Sequence, residues 1–299
     1  MKYYIISGEQ SGDMHAANMV AALKQRDVNA DFRAWGGDKL KAEGVQLVKH
    51  IKDLAFMGFW EVLINFPTIL KNIGFCKKDL SDFSPDTLLL VDYPGFNFRI
   101  AKFAKQKGIK VFYYISPQIW AWKKSRINQI RKYVDRLFVI LPFEKKFYQE
   151  NNFEVDFVGH PLLDEIAKDN FSFSIKVEKE IIALLPGSRK QEIQKMLPQM
   201  LSIVDDFPNY QFVVAATNTV EGNLYKEIIG SKNVLFVKDE TYGLLKKAKA
   251  ALVTSGTATL ETALFNVPQI VCYKTNLISF QIAKRLVKTK FISLVNIIM

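Results

Sequence analysis

The chemistry is most legible in Ile181 to Ile193, IIALLPGSRKQEI. An apolar run long enough for one buried strand stops at Pro186-Gly187, and Ser188-Arg189 then open a segment with helical spacing. Strand, tight turn and helix leave unpaired backbone N–H groups at the positive end of a helix dipole, which is a seat for phosphate. Gly187 permits close approach, Ser188 can donate or cap, and Arg189 adds a fork of donors suited to a diphosphate. An ordinary turn capped by Ser188 is the competing reading.

Thr254 to Glu261, TSGTATLE, repeats the pattern. Ser255, Gly256 and Thr257 follow a strand and open a helix, so N–H groups and hydroxyls again converge on an anion. Glu261 lies one turn further on, where an acceptor-only carboxylate can hold a ribose diol. Two helix N-termini and one carboxylate in the same half of the chain predict a nucleotide diphosphate site.

Candidates for acid–base work lie in the first half. The apolar run Thr87 to Val91 delivers Asp92 to the C-terminal end of a strand, the edge at which open α/β sheets bind ligands. A carboxylate there is a candidate general base, or else an Asp that orders the turn through Asn97. Glu9, Ser11 and Asp13 sit in the glycine-punctuated turn after the first strand. That turn lacks the spacing of a dinucleotide or ATP loop. Its carboxylates would repel a diphosphate but can grip sugar hydroxyls, and Asp13 can alternatively cap the helix read from about Met14 to Arg26. Trp120 and Trp122, followed by Lys123 and Lys124, line a cleft or simply pack.

The elements that must position these residues alternate. Strands read at 2–7, 31–35, 87–91, 110–116, 135–141 and 155–158 are separated by helices, and a polar stretch from Asp164 to Lys179 marks a linker. The alternation then resumes from 181 to 253. The pattern predicts an α/β protein of two Rossmann-like βαβ domains, 1–168 and 169–299. With 299 residues the chain is comfortable for two domains, and its formal charge of +11 predicts anionic partners. Cys76 and Cys272 read as separate buried thiols in a reducing compartment, and His15, His50 and His160 lack metal-ligand spacing. No signal peptide or spanning segment is read, so a cytoplasmic chain is expected.

One segment resists the simple pattern. Met57, Phe59, Trp60, Leu63 and Phe66 belong to a run that continues to Phe75 and leaves little room for a polar face, with Lys71, Lys77 and Lys78 alongside. It reads equally as a buried helix or as a peripheral membrane patch with snorkelling cations.

GEQSGD, MGFWEVL, VDYPGFN, YYISPQIWAW, LPFEKKFY, VGHPLLD, LLPGSRKQEI, TSGTATLE and AKRLVKTKFISLVNII together resemble the lipid-A-disaccharide synthases, in family order and along essentially the whole chain. The resemblance implies a glycosyltransferase of the B-type fold, with two Rossmann-like domains facing across a cleft. It implies inverting transfer of 2,3-diacylglucosamine from UDP to the 6-hydroxyl of 2,3-diacylglucosamine 1-phosphate (lipid X), giving the β-1,6 disaccharide of lipid A. No metal or other cofactor is implied. The implied partners are the two lipid substrates and anionic lipid at the inner face of the cytoplasmic membrane, and nucleic acid is not among them. Asp92 matches the essential aspartate, and Arg189 the UDP-contacting arginine. Ser188, Ser255, Gly256, Thr257 and Glu261 stand in matching motifs. Asn296 matches the asparagine of an SLPN-type motif, with Val295 in place of proline. The family pattern runs on past this motif, so the second domain is expected to be incomplete at Met299. The competing expectations are a soluble UDP-sugar enzyme of the same fold, epimerase-like and without the greasy basic patch, and a non-catalytic fragment that holds nucleotide or lipid.

Overall fold

The computed structural model describes residues 1–53, 66–122, 124–218, 220–274, 293 and 295–296. It divides into two compact units, Met1–Pro161 and Leu162–Met299.

In the first unit the strands are β1 (Lys2–Ser7), β2 (Asp31–Gly36), β3 (Gln46–His50), β4 (Thr87–Val91), β5 (Lys110–Tyr114), β6 (Arg136–Val139) and β7 (Asp156–Phe157). Between them run α1 (Gln10–Arg26), α2 (Asp38–Ala42), α3 (Phe66–Phe83), α4 (Pro94–Gln106), α5 (Ile119–Trp122), α6 (Ile127–Tyr133) and α7 (Pro142–Gln149). The strands pair in parallel in the order β3-β2-β1-β4-β5-β6-β7. That order reverses direction between β1 and β4, which makes their C-terminal ends the topological switch point. Period-two alternation explains the continuous apolar run of β4. Leu88 and Leu90 enter one core, Leu89 and Val91 the core on the opposite face.

α3 shows why the greasy segment is hard to read. Ile73, Cys76 and Leu80 are buried, and Asp79 accepts a 2.7 Å hydrogen bond from the Tyr4 hydroxyl while pairing with Arg33. Leu70 and Phe75 on the same helix are about half exposed, at 49% and 48%. Beside them, Lys71 and Lys78 are also exposed. The helix therefore has a core stripe and a greasy, basic outer stripe. Met57, Phe59, Trp60 and Leu63 lie outside the described residues, and Phe66 opens the helix.

The second unit takes in α8 (Pro161–Ala167) from its second residue, then β8 (Ile181–Leu185), α9 (Lys190–Leu201), β9 (Gln211–Ala216), α10 (Gly222–Ile229), β10 (Val234–Lys238), α11 (Thr241–Lys247), β11 (Ala248–Thr254), α12 (Thr257–Leu264) and β12 (Gln269–Cys272). Its sheet is also parallel, in the order β10-β9-β8-β11-β12, with the reversal between β8 and β11.

The stretch expected to be a polar linker is more ordered than its composition suggests. Residues 161–167 are helical, and after them Phe171, Phe173, Ile175 and Val177 alternate with exposed Ser172, Ser174, Lys176 and Glu178. Phe173, Ile175 and Val177 pack on the second unit's core. The segment is a strap with strand-like periodicity, and the units divide between Pro161 and Leu162, at the first residue of α8, where the sequence pattern puts the boundary at 168.

Candidate functional site

Both switch points carry the residues singled out for chemistry. In the first unit Ser7 pairs with Val91, so Glu9 and Asp92 leave neighbouring strand ends side by side. The backbone at this edge is strained. Asp92 and Tyr93 have φ of +44° and +50°, and Ile115, just past β5, has +63°. Such left-handed values are uncommon for residues other than glycine, and for a β-branched residue they are an outlier that surrounding structure must enforce.

Asn97 does not hold the Asp92 carboxylate. Asn97 Nδ2 donates to the backbone oxygen of Asp92 at 2.6 Å, and the Tyr113 hydroxyl donates to the same oxygen at 2.5 Å. These bonds hold the main chain and leave the carboxyl group to the ligand edge. Burial pushes that carboxyl up to about 7, the negative charge of Glu9 adds to the rise, and the Tyr93 N–H opposes it. A half-buried acid that titrates near neutrality at a switch point is equipped to accept a proton.

The loop after β1 is shorter than the sequence suggests, because α1 already begins at Gln10 and only Gly8-Glu9 form the turn. Ser11 and Asp13 are therefore helical. Asp13 is buried, with its Oδ1 taking the Gly37 N–H at 2.6 Å and its Oδ2 the Lys39 N–H at 2.9 Å. It caps α2 from a distance, and its lone pairs are committed there. Glu9 precedes the helix and is half-buried. Trp120 packs edge-on against Phe143, with ring centroids 4.9 Å apart.

In the second unit Leu185 pairs with Val253, so the PGSR and SGT turns leave adjacent strands at one edge. Gly187 has φ of +107°, and a Cβ there would sit 2.6 Å from Glu192 Oε2. Glu192 closes on the turn, accepting the Ser188 N–H at 3.2 Å and pairing with Arg189 Nη1 at 2.7 Å. The turn therefore presents an oriented guanidinium beside exposed Ser188. Gly256 and Thr257 are exposed at the start of α12. Glu261, one turn in, accepts a 2.9 Å hydrogen bond on Oε1 from the Tyr242 hydroxyl, and burial raises its carboxyl. Ser293 donates to Thr259 Oγ1 at 2.9 Å, which ties the segment bearing exposed Asn296 to the same helix. Tyr242 and Ser293 were not singled out in the sequence. A lone aromatic in a polar helix and a serine in an apolar run carry no spacing signal.

Among the described residues, no helix is long and apolar enough to cross a membrane.

A family model described as lipid-A-disaccharide synthetase matches residues 3–299. The lipid-A-disaccharide synthase of Syntrophus aciditrophicus is 40% identical over 98% of this chain and 80% of its own length. Lipid-A-disaccharide synthase 1 of Legionella pneumophila (strain Paris) is 39% identical over the same shares. Among solved structures, a UDP-GlcNAc 2-epimerase from Neisseria meningitidis bound to UDP-GlcNAc superposes with a TM-score of 0.65 at 16% identity, covering 100% of this chain and 90% of that one. The glycotransferase of kitacinnamycin gives 0.65 at 12% identity, over 92% of this chain and 81% of its own. At such identities these structures speak for the fold, the two Rossmann-like domains of B-type glycosyltransferases and their epimerase relatives.

Proposed function

The chain belongs to the lipid-A-disaccharide synthase family and is a hexosyltransferase, and on that premise we propose how its residues divide the reaction. Asp92 is the general base. It takes the proton of the acceptor's 6-hydroxyl as that oxygen bonds to the anomeric carbon of UDP-2,3-diacylglucosamine, and the bond from that carbon to the diphosphate breaks. Attack opposite the leaving group inverts the configuration and gives the β-1,6 disaccharide 1-phosphate and UDP. The observation that carries this reading is the half-buried carboxyl at the β1–β4 switch point, set by burial and by Glu9 to titrate near 7.

Arg189, the hydroxyls of Ser188, Ser255 and Thr257 and the N–H groups of Gly256 and Thr257 hold the diphosphate and stabilise the charge that builds on it, in the role a metal plays elsewhere, while the Ser188 and Ser255 N–H groups stay with Glu192 and the Cys272 carbonyl. Glu261 takes the ribose diol, and we assign Asn296, on the segment that Ser293 joins to α12, to the donor as well. Glu9 binds the acceptor sugar beside Asp92. Asp13, with its oxygens committed to α2, shapes the loop. The lipid substrates favour a protein held peripherally at the inner membrane surface, and the outer stripe of α3, with Leu70, Phe75, Lys71 and Lys78 exposed, supports that docking. The epimerase-like alternative rests on fold likeness alone and is not favoured.

Incubation with UDP-2,3-diacylglucosamine and lipid X tests the proposal, with UDP and disaccharide scored together. Equal release of both is expected. UDP release without disaccharide, or turnover of the donor without acceptor, would overturn it.

A further inference from the structure

We propose that Tyr242 positions Glu261 for the donor's ribose, and that Phe171 of the strap sets the angle of the Tyr242 ring. The inference rests on the reading of Glu261 as the ribose ligand and adds the residues that make it one.

The Tyr242 hydroxyl lies 2.9 Å from Glu261 Oε1, and among the described residues it is the only side chain that hydrogen-bonds this carboxylate. A carboxylate only accepts, so a phenol on Oε1 leaves Oε2 to receive a hydroxyl. Glu261 has three side-chain torsions to order, and an ordered acceptor binds a diol without that entropic loss at the moment of binding. Tyr242 is itself held by rings. Phe171 meets it edge-on at 5.0 Å and Phe265 tilts against it at 5.3 Å, while Phe171 and Phe265 are 5.9 Å apart.

The strap that supplies Phe171 is fixed from both sides. Ser174 N donates to Glu240 Oε2 at 2.6 Å, and Lys246 pairs with Asp169. Between them the backbone of Ser172 lies so close to Gly243 that a side chain there would collide with its carbonyl. The path from strap to ring to carboxylate thus runs through contacts that leave little freedom at each step.

The test measures affinity for UDP and for 2′,3′-dideoxy-UDP by calorimetry in the full chain, together with steady-state kinetics. Tyr242→Phe keeps the ring and removes only the hydroxyl. It should weaken UDP about five- to tenfold, the loss of one hydrogen bond, and leave dideoxy-UDP unchanged. KM for the donor should rise while kcat stays within about twofold. Phe171→Leu should show the same diol-dependent loss at about two- to threefold. Glu261→Gln separates the ribose contact from its positioning. If it leaves UDP affinity unchanged, the ribose reading of Glu261 falls and the proposal with it. If it weakens UDP while Tyr242→Phe does not, or if Tyr242→Phe weakens both nucleotides equally, the positioning role alone is overturned. A Phe171→Leu variant with wild-type preference for the diol removes the strap's part.

Discussion

The ring of Tyr93 lies against Gly8, so close that a Cβ at position 8 would clash with three of its carbons, the farthest of them 2.6 Å away. Tyr93 also stacks on Phe96 at 5.6 Å, and Phe96 packs against Trp35 at 5.3 Å. The loop after β1 and the loop after β4 are thereby wedged together at the switch point, and the left-handed turn that carries Asp92 is held on both sides.

Gly8→Ala should accordingly displace Tyr93 and move Asp92. Overpacking of this kind costs about 1–3 kcal/mol, and misplacement of a catalytic group by an ångström can cost roughly a hundredfold in rate. UDP affinity, which the proposal assigns to the second unit, should stay at the wild-type value. A calorimetric titration beside a rate assay distinguishes this from general unfolding, which would lower both.

The pH dependence of kcat/KM should report Asp92. With a carboxyl that titrates at about 7, the base form is lost on acidification, so the rate should fall tenfold per pH unit below that value and level off above it. Asp92→Asn should lower turnover by about a hundred- to ten-thousandfold and abolish this limb. A variant with a surviving acid limb would assign the titration to another group.

The same carboxyl makes a prediction about stability of opposite sign to activity. Its pKa rises from 3.8 to about 7 on folding, so between those values the folded chain holds a proton that the unfolded chain has released. The contribution is fully present below about pH 4 and lost as pH rises through 7. Three units at 1.36 kcal/mol each set an upper bound of about 4 kcal/mol, and partial solvation reduces it to roughly 1–3. Asp92→Asn should therefore melt higher than wild type at pH 8, by about 2–4 °C per kcal/mol, and match it at pH 4. A melting temperature lowered at pH 8 would contradict the buried-carboxyl account.

Arg189→Ala should weaken UDP about ten- to hundredfold, the range for a charge-assisted contact worth about 1.5–3 kcal/mol. Turnover should be indifferent to EDTA. Activity lost to EDTA and regained with magnesium would transfer the charge-stabilising role to a metal.

On α3, Leu70→Ser with Phe75→Ser should leave the melting temperature nearly unchanged, because both side chains are about half exposed, yet reduce sedimentation with anionic vesicles. Ile73→Ser, at a position 6% exposed, should instead destabilise the unit by several kcal/mol, roughly as a core truncation does. Undiminished vesicle binding by the double variant would place the docking surface elsewhere.

The placement of Asp92, Arg189 and the SGT turn at strand ends is legible because each follows an apolar run that reads as a buried parallel strand, and strand ends are where such sheets bind ligands. What escaped depends on partners distant in sequence or on edges. Asp13 takes the N–H of Gly37, a helix away, and no local spacing announces that. β3 and β12 end their sheets, so QLVKH and QIVC need less apolar character than a central strand. From sequence the strap reads as linker because alternate serines and lysines lower its mean hydropathy, although residues 171–178 keep a period of two. α3 stayed ambiguous because it serves as a core helix and a greasy surface at once.

The strand order has a consequence for how the catalytic edge comes into being. Among the described residues no strand pairs with its neighbour through a hairpin, and the central seam of the first unit joins β1 to β4, Ser7 to Val91. During synthesis at about 5–20 residues per second, β1 therefore waits seconds for its inner partner, with one edge unpaired. Long-range parallel pairing of this kind is slow to nucleate. Glu9 and Asp92 become neighbours only when that seam closes, so a nascent chain cannot set the proposed base beside Glu9 before β4 has paired with β1.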